Sequence, residues 1–277
     1  MKNLKDKVAV VTGAGSGVGR SLALQFSKEG CRLALNDYDE NALKETVQLL
    51  DRQESVIADC FDVSNYESFE AFAKKTLEVY DHQVDIVVNN AGVNLVRLNF
   101  EETTMEQFHW IMNINFWGVI YGCKLFLPAL QKRQEASLVN LSSVQGFVGA
   151  PQQTAYTATK FAVRGFTESL RMELLNSNVT VCCVHPGGIK TNIIKNARGL
   201  DENMDAQERD KEIKSMTRIY MHTPEMAAKT IINGIKKKKE RVLIGAEAKA
   251  IEFAQRLFPV KYVNLSTKLI ELSTKKY

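Results

Sequence analysis

Thr12-Gly13-Ala14-Gly15-Ser16-Gly17-Val18-Gly19 sits between a short apolar run, Lys7 to Thr12, and a helical pattern from Val18 to Lys28. Glycines at such a junction let a strand turn sharply into a helix and let backbone approach a pyrophosphate. They also seat the helix closely on a sheet with its amino end toward the phosphates. Gly13, Gly15, Ser16, Gly17, Val18 and Gly19 are therefore candidate cofactor-binding residues. Taken alone, the turn also suits other nucleotides, including the cofactor of a methyltransferase.

Outward from this turn, short apolar runs alternate with longer helical patterns. The runs are Lys7 to Thr12, Arg32 to Asn36, Ser55 to Ala58, Val84 to Asn89, Ser137 to Leu141, Val179 to Val184 and Arg241 to Ile244. Between them, stretches such as Ala42 to Leu50, Phe69 to Tyr80 and Ala162 to Leu175 repeat apolar residues every three or four positions. The alternation predicts an α/β fold: a doubly wound parallel sheet of about seven strands in one domain, the Rossmann arrangement. Ligands of such sheets lie beyond the carboxyl ends of the strands, so functional residues should fall just after strands.

Asp37 ends the second run about 20 residues past the turn, where a carboxylate can accept from the hydroxyls of an adenosine ribose. Its competing role is to cap the helix starting near Glu40, for which Asp39 is better placed. Asp62-Val63 follows the third run and could meet an adenine, although Asp62 or Ser64 could instead cap the next helix. Asn89-Asn90-Ala91-Gly92 closes the fourth run with small residues, and Asn90, Ala91 and Gly92 are candidates to line a cofactor.

Tyr156 and Lys160 lie four apart in a helical pattern opening near Thr154, which puts them on one helix face. A free phenol titrates near pH ~10 and is a poor base at neutral pH; a neighbouring cation favours its ionised form. Asn140-Leu141-Ser142-Ser143 ends the fifth run. A serine there can donate to a substrate oxygen that gains charge, while capping of backbone amides is the more natural role for Ser142.

These segments, with Asn115, and Pro186-Gly187 and Thr191 after the sixth run, resemble the short-chain dehydrogenase/reductase family in its non-extended form, from residue 7 to about 245. The resemblance implies that Ser143 orients a substrate carbonyl, that Tyr156 is the general acid/base, and that Lys160 lowers the Tyr156 pKa and holds the nicotinamide ribose. It assigns to Asn115, with Asn113 as a less well-placed alternative, the support of a proton relay to Lys160. Pro186, Gly187, Ile189 and Thr191 would hold the nicotinamide amide. The expected activity is the interconversion of an alcohol and a ketone, with NAD preferred to NADP because Asp37 is acidic and Ser16 and Tyr38 are not basic. A fold that binds nucleotide without turnover, and a transferase using the same turn, are the readings from other classes.

Composition sets the bounds. The 277 residues are 45% hydrophobic, and no apolar run approaches the length of a membrane span. The amino end lacks a signal-type apolar stretch, so the expected location is cytoplasmic. Five cysteines and four dispersed histidines offer no metal-type spacing, and no metal is expected. The formal charge is +4, of which Lys236 to Tyr277 carries +7 and the rest −3. That basic end reads as a solvated helix face, since no nucleic-acid motif accompanies it. Val93, Leu95, Val144, Phe147, Val148, Ile193 and Ile194 are expected to face a lipophilic substrate, with Asn192 to Met221 forming a polar lid. The segments Met105 to Leu130 and Thr154 to Leu175 predict a homodimer or homotetramer. Residues 1–245 would form the catalytic domain. Residues 246–277 would add an amphipathic helical extension, interrupted at Pro259, packed on the domain, a partner subunit or a membrane surface.

Overall fold

Strand 1 is Val8–Thr12, and all five of its residues are buried. Its side chains alternate between two cores. Ala9 and Val11 join Leu22, Phe26 and Ile231 on one face, while Val8 and Val10 join Phe69, Phe72 and Phe126 on the other. A strand covered on both faces needs apolar residues without alternation, which is why the sequence shows unbroken runs.

The computed structural model describes residues 1–262 except 52, 54, 55, 96, 97, 200–204 and 219. Among them are β1 (Val8–Thr12), α1 (Gly17–Lys28), β2 (Arg32–Asp37), α2 (Glu40–Gln48), β3 (Val56–Cys60), α3 (Tyr66–Val79), β4 (Ile86–Asn89) and α4 (Met105–Met112). There follow α5 (Gly118–Gln131), β5 (Ala136–Leu141), α6 (Thr154–Glu173), β6 (Val179–Pro186), α7 (Ala206–Thr217), α8 (Pro224–Lys236), β7 (Arg241–Ile244) and α9 (Ala246–Leu257). The seven strands form one parallel sheet in the order β3-β2-β1-β4-β5-β6-β7. The order reverses between β1 and β4, which opens a crevice at their carboxyl ends.

Several boundaries differ from expectation for local reasons. β4 starts at Ile86, just after Asp85, whose carboxylate accepts from the Val8 amide (3.0 Å), Lys7 (3.2 Å) and Arg133 (2.8 Å). β6 runs two residues further, with His185 and Pro186 registered against Leu243 and Ile244 of β7. Ser55, expected to open the third strand, lies outside the described residues.

The expected lid contains a helix, α7, capped by Asp205 accepting from the Gln207 and Glu208 amides. Half of its residues are charged, with Ile213 and Met216 meeting Ile194, Ala197 and Tyr220 in a small separate core. Two apolar residues give too little periodicity to announce a helix.

The extension begins as α9, which stops before Pro259. It packs on its own domain: Ala248 is fully buried, and Glu252 pairs with Arg241 of β7 at 2.8 Å. Phe253, Leu257, Phe258 and Val260 are exposed. The remainder, including Leu265, Leu269, Ile270 and Leu272, lies outside the described residues. No helix among the described residues is long and apolar enough to cross a membrane.

Candidate active site

The glycine turn is shaped by what crowds it. Gly13 has φ +67°, and a Cβ there would come within 2.8 Å of the Ala91 Cα. A side chain on Gly15 would meet the Asp37 carboxylate at 2.8 Å, and one on Gly19 would overlap the Gly13 carbonyl. The turn is thus pressed against Asn90 and Ala91 after β4. Thr12 holds the junction, its Oγ1 accepting from the Asn90 amide (3.0 Å) and the Ala91 amide (3.1 Å). Asn90 returns Nδ2 to the Thr12 carbonyl at 2.8 Å. Thr12 escaped the sequence reading because a threonine ending a strand carries no signal of its own.

Asp37 is buried and accepts from the Gly15 amide (2.7 Å) and the Asp39 amide (3.0 Å). Burial pushes its carboxyl upward, against the pull of the Asp39, Gly15 and Tyr38 amides. Asp39 caps α2, accepting from Ala42, so Asp37 is free of that duty. A cleft of about 290 Å³ opens here, lined by Gly15, Ser16, Gly17, Asp37, Tyr38 and Asn192 among others. Arg20 borders it but is committed to the Gly15 carbonyl (2.6 Å), the Ala42 carbonyl (3.2 Å), Thr46 (3.0 Å) and Glu45 (2.8 Å).

Neither Asp62 nor Ser64 caps α3. Asn65 does, accepting from the Ser68 amide, while Asp62 is exposed and accepts from Ser64 at 2.9 Å. Val63 is buried against Gly118. At the far side, Thr191 reaches over the turn, since a Cβ on Gly17 would stand 3.1 Å from its Cγ2. Ile189 is buried and Pro186 continues β6. Val18 lies one position into α1, half-buried against the core beneath the turn.

The titratable cluster gathers around Gly92. A Cβ there would be 3.2 Å from Asn115 Oδ1 and 3.5 Å from Lys160 Nζ. Asn115 sits in a π-helical turn, Asn113–Trp117, between α4 and α5. Such turns add a residue to the helix and occur at functional sites. Asn115 is fully buried, accepts from the Val93 amide (2.8 Å), and donates to the Val93 carbonyl (2.9 Å) and Thr159 (3.2 Å). Asn113 is exposed.

Tyr156 and Lys160 are buried on one face of α6, with Lys160 Nζ 5.5 Å from the Tyr156 ring centre and donating to the Leu141 carbonyl at 3.1 Å. Burial pushes the Tyr156 phenol upward, opposed by its hydrogen bond with Ser143. Burial also pushes Lys160 down to about 8. Burial thus works against the lowering of the phenol that the Lys160 charge is expected to bring.

The capping role expected of Ser142 falls to Ser143, which also bonds the Tyr156 hydroxyl. Ser142 Oγ donates to the Lys160 carbonyl at 2.8 Å, tying β5 to α6, whereas Ser143 accepts from the Gln145 amide at 3.1 Å. Sequence alone misses this because adjacent serines point to opposite sides of the extended chain. It also misses His185, fully buried, whose Nδ1 donates to the Ser143 carbonyl at 2.9 Å. Burial pushes His185 down to about 4, so its ring is neutral at pH 7.

Of the residues expected to face substrate, Val93, Leu95 and Ile193 pack around Tyr156. Phe147 does not line that wall; it is buried, with its ring 4.0 Å from His185 and Arg164 above it at 4.6 Å. Ile194 belongs to the separate core beneath α7. Four cysteines are buried and Cys60 is exposed; all five are free. Among the described residues no group of three or more acidic, histidine or cysteine side chains could hold a metal ion.

Residues 7–201 match the family model described as short chain dehydrogenase. The chain is 41% identical over 271 residues to SadH of Mycobacterium tuberculosis, a protein whose oxidoreductase name is provisional, covering 96% of this chain and 95% of that one. Among solved structures, a short-chain dehydrogenase/reductase from Burkholderia phymatum in complex with NAD superposes with TM-score 0.83 at 29% identity, over 93% of this chain and 95% of that one. A short-chain dehydrogenase from Streptomyces avermitilis gives TM-score 0.79 at 26% identity, covering 98% and 99%.

Proposed function

The chain belongs to the short-chain dehydrogenase/reductase family, and from that premise we propose that it is an NAD-dependent oxidoreductase interconverting a lipophilic secondary alcohol and its ketone. The observation that carries this reading is the convergence of Ser143, Tyr156, Lys160 and Asn115 beside Gly92, at the sheet crevice that the glycine turn also borders. The residues present fit a dinucleotide: backbone cradles that a Cβ would fill, and a buried carboxylate at the cleft.

When bound, NAD supplies the hydride acceptor and NADH the donor. The chain's residues manage the proton and the position. In oxidation Tyr156, ionised, takes the alcohol proton on its phenolate oxygen; in reduction its hydroxyl gives that proton to the carbonyl oxygen. Ser143 steadies that oxygen as its charge changes. Lys160 lies close enough to oppose the desolvation that holds the phenol neutral. Val93, Leu95 and Ile193 supply an apolar wall that keeps water away. The test is a screen of sterols, medium-chain alcohols, acyl-CoA alcohols and small diols, followed by NADH absorbance. Turnover of a secondary alcohol supports the reading; no turnover of any class, in either direction, overturns it.

NAD is expected to be preferred to NADP by up to about 10³-fold in kcat/KM, because a 2′-phosphate would sit beside Asp37. Like charges about 4 Å apart repel by roughly 4 kcal/mol at an effective dielectric constant near 20. Arg20 has its guanidinium engaged elsewhere, and Arg32 lies over the Tyr80 ring. Asp37→Ser should narrow the preference to below about tenfold; equal use of both cofactors by the parent enzyme would overturn the assignment.

Assembly is part of the proposal. Met105 on α4, Trp117 in the π turn, and Phe161 and Met172 on α6 are exposed large hydrophobic side chains. A homodimer or homotetramer would cover them, and light scattering at micromolar concentration should return a multiple of the 31.1 kDa chain mass. A monomer mass would contradict it.

A further inference from the structure

The loop after β6 is zipped on both sides before it reaches Thr191. The Gly187 amide donates to the Ile244 carbonyl of β7 at 2.9 Å. On the other side the Lys190 amide donates to the His222 carbonyl at 2.9 Å, and the His222 amide to the Gly188 carbonyl at 3.2 Å. A single side chain spans the two zippers. Glu247, in the first turn of α9, accepts from the Gly188 amide at 3.2 Å through Oε1, and its Oε2 lies 2.9 Å from His222 Nε2.

The backbone is cut to fit that carboxylate. A Cβ on Gly187 would overlap Glu247 Oε1, and one on Gly245, whose φ is +99°, would overlap both carboxylate oxygens and His222 Nε2. An acid in the first turn of a helix has an ordinary explanation in the helix dipole. That explanation accounts for neither the bond to Gly188 nor the two glycines that make room for it. Burial would raise the Glu247 carboxyl, but the bonds from His222, its own amide and Gly188 together hold it below the usual range.

We propose that Glu247 is a positioning residue: from the first turn of α9 it fixes the Gly187–Gly188 backbone and thereby the loop through Ile189 and Thr191 that faces the nicotinamide half of the cofactor. The inference rests on the cofactor reading above. It makes α9, which follows the last strand of the sheet, a part of the cofactor site rather than an appendage. Glu252, further along α9, docks the helix through Arg241 without touching the loop. It serves as the control.

The experiment measures binding of NADH and of ADP-ribose, by fluorescence and calorimetry, to the full chain and to Glu247→Ala, Glu247→Gln and Glu252→Gln. Loss of a charged hydrogen-bond acceptor at the loop should weaken NADH by roughly tenfold in Glu247→Ala. ADP-ribose, which lacks nicotinamide, should bind unchanged. Glu247→Gln keeps an acceptor for Gly188 and should recover most of the NADH affinity. Where the alanine variant is unfolded, Glu247→Asp, which only draws the carboxylate back, gives the same pattern on a smaller scale. NADH binding within twofold of the parent in the folded Glu247 variants, equal weakening of ADP-ribose, or equal weakening by Glu252→Gln would overturn the inference. Failure of the parent chain to bind NADH would overturn the cofactor reading instead, and the inference with it.

Discussion

Replacing Tyr156 with phenylalanine is expected to lower turnover by roughly 10²–10⁴-fold, the usual cost of losing a general acid/base. NADH affinity should stay within about twofold of the parent, because phenylalanine fills the same space. Tyr156 is buried at 8% exposure among Leu95, Ile111 and Ala155, so only the hydroxyl and its bond with Ser143 disappear. Ser143 keeps its Gln145 amide, which limits local rearrangement. Steady-state kinetics with NADH titration would separate the two effects. Turnover within a few-fold of the parent would remove Tyr156 from the mechanism, whatever the state of the cofactor site.

The expected pH behaviour of this site comes from desolvation more than from the neighbouring charge. A buried phenol resists ionisation, and a buried amine resists protonation. With Lys160 near 8, its charge is present at neutral pH and fades as the medium becomes alkaline. The residue thus has two opposed consequences: it favours the ionised phenol, and it destabilises the folded chain that buries it.

How much of this was legible in the sequence varies with the range of the interaction. The glycine turn, Asp37, and the Tyr156/Lys160 pair are local patterns set by φ angles and helix periodicity, and the structure brings them to one crevice. The seven strands were legible because burial on both faces makes each of them an apolar run. Residues whose roles depend on distant partners were not. Thr12 acts on a segment 78 positions away, His185 on one 42 away, and Glu247 on one 59 away. No local spacing encodes such contacts. The bond of Ser142 to α6 was missed for another reason: which of two adjacent serines faces α6 depends on where β5 ends, and that is fixed by pairing with β6.

Lys160→Met is expected to cost roughly 10²–10³-fold in turnover, the scale of removing one preorganised electrostatic group, yet to make the protein more stable at pH 7. The sign follows from linkage. An amine at about 8 in the folded chain and 10.5 when exposed has given up its proton on folding between those values. Stability therefore rises with pH across that window, and below about pH 8 the full penalty applies, on the order of 3 kcal/mol. Methionine fills a similar volume without charge, while the Leu141 carbonyl loses a donor, which returns roughly 1–2 kcal/mol. The remaining gain of about 1–2 kcal/mol should raise Tm by a few degrees in a chain of this size. At pH near 10.5 the parent lysine is neutral when folded and only half protonated when unfolded, so little of the penalty remains and the advantage should vanish. Thermal unfolding of both proteins at pH 7 and pH 10.5 reads the difference directly. A variant less stable than the parent at pH 7, or an advantage that persists unchanged at pH 10.5, would show that the buried ammonium is not the source of strain at this site.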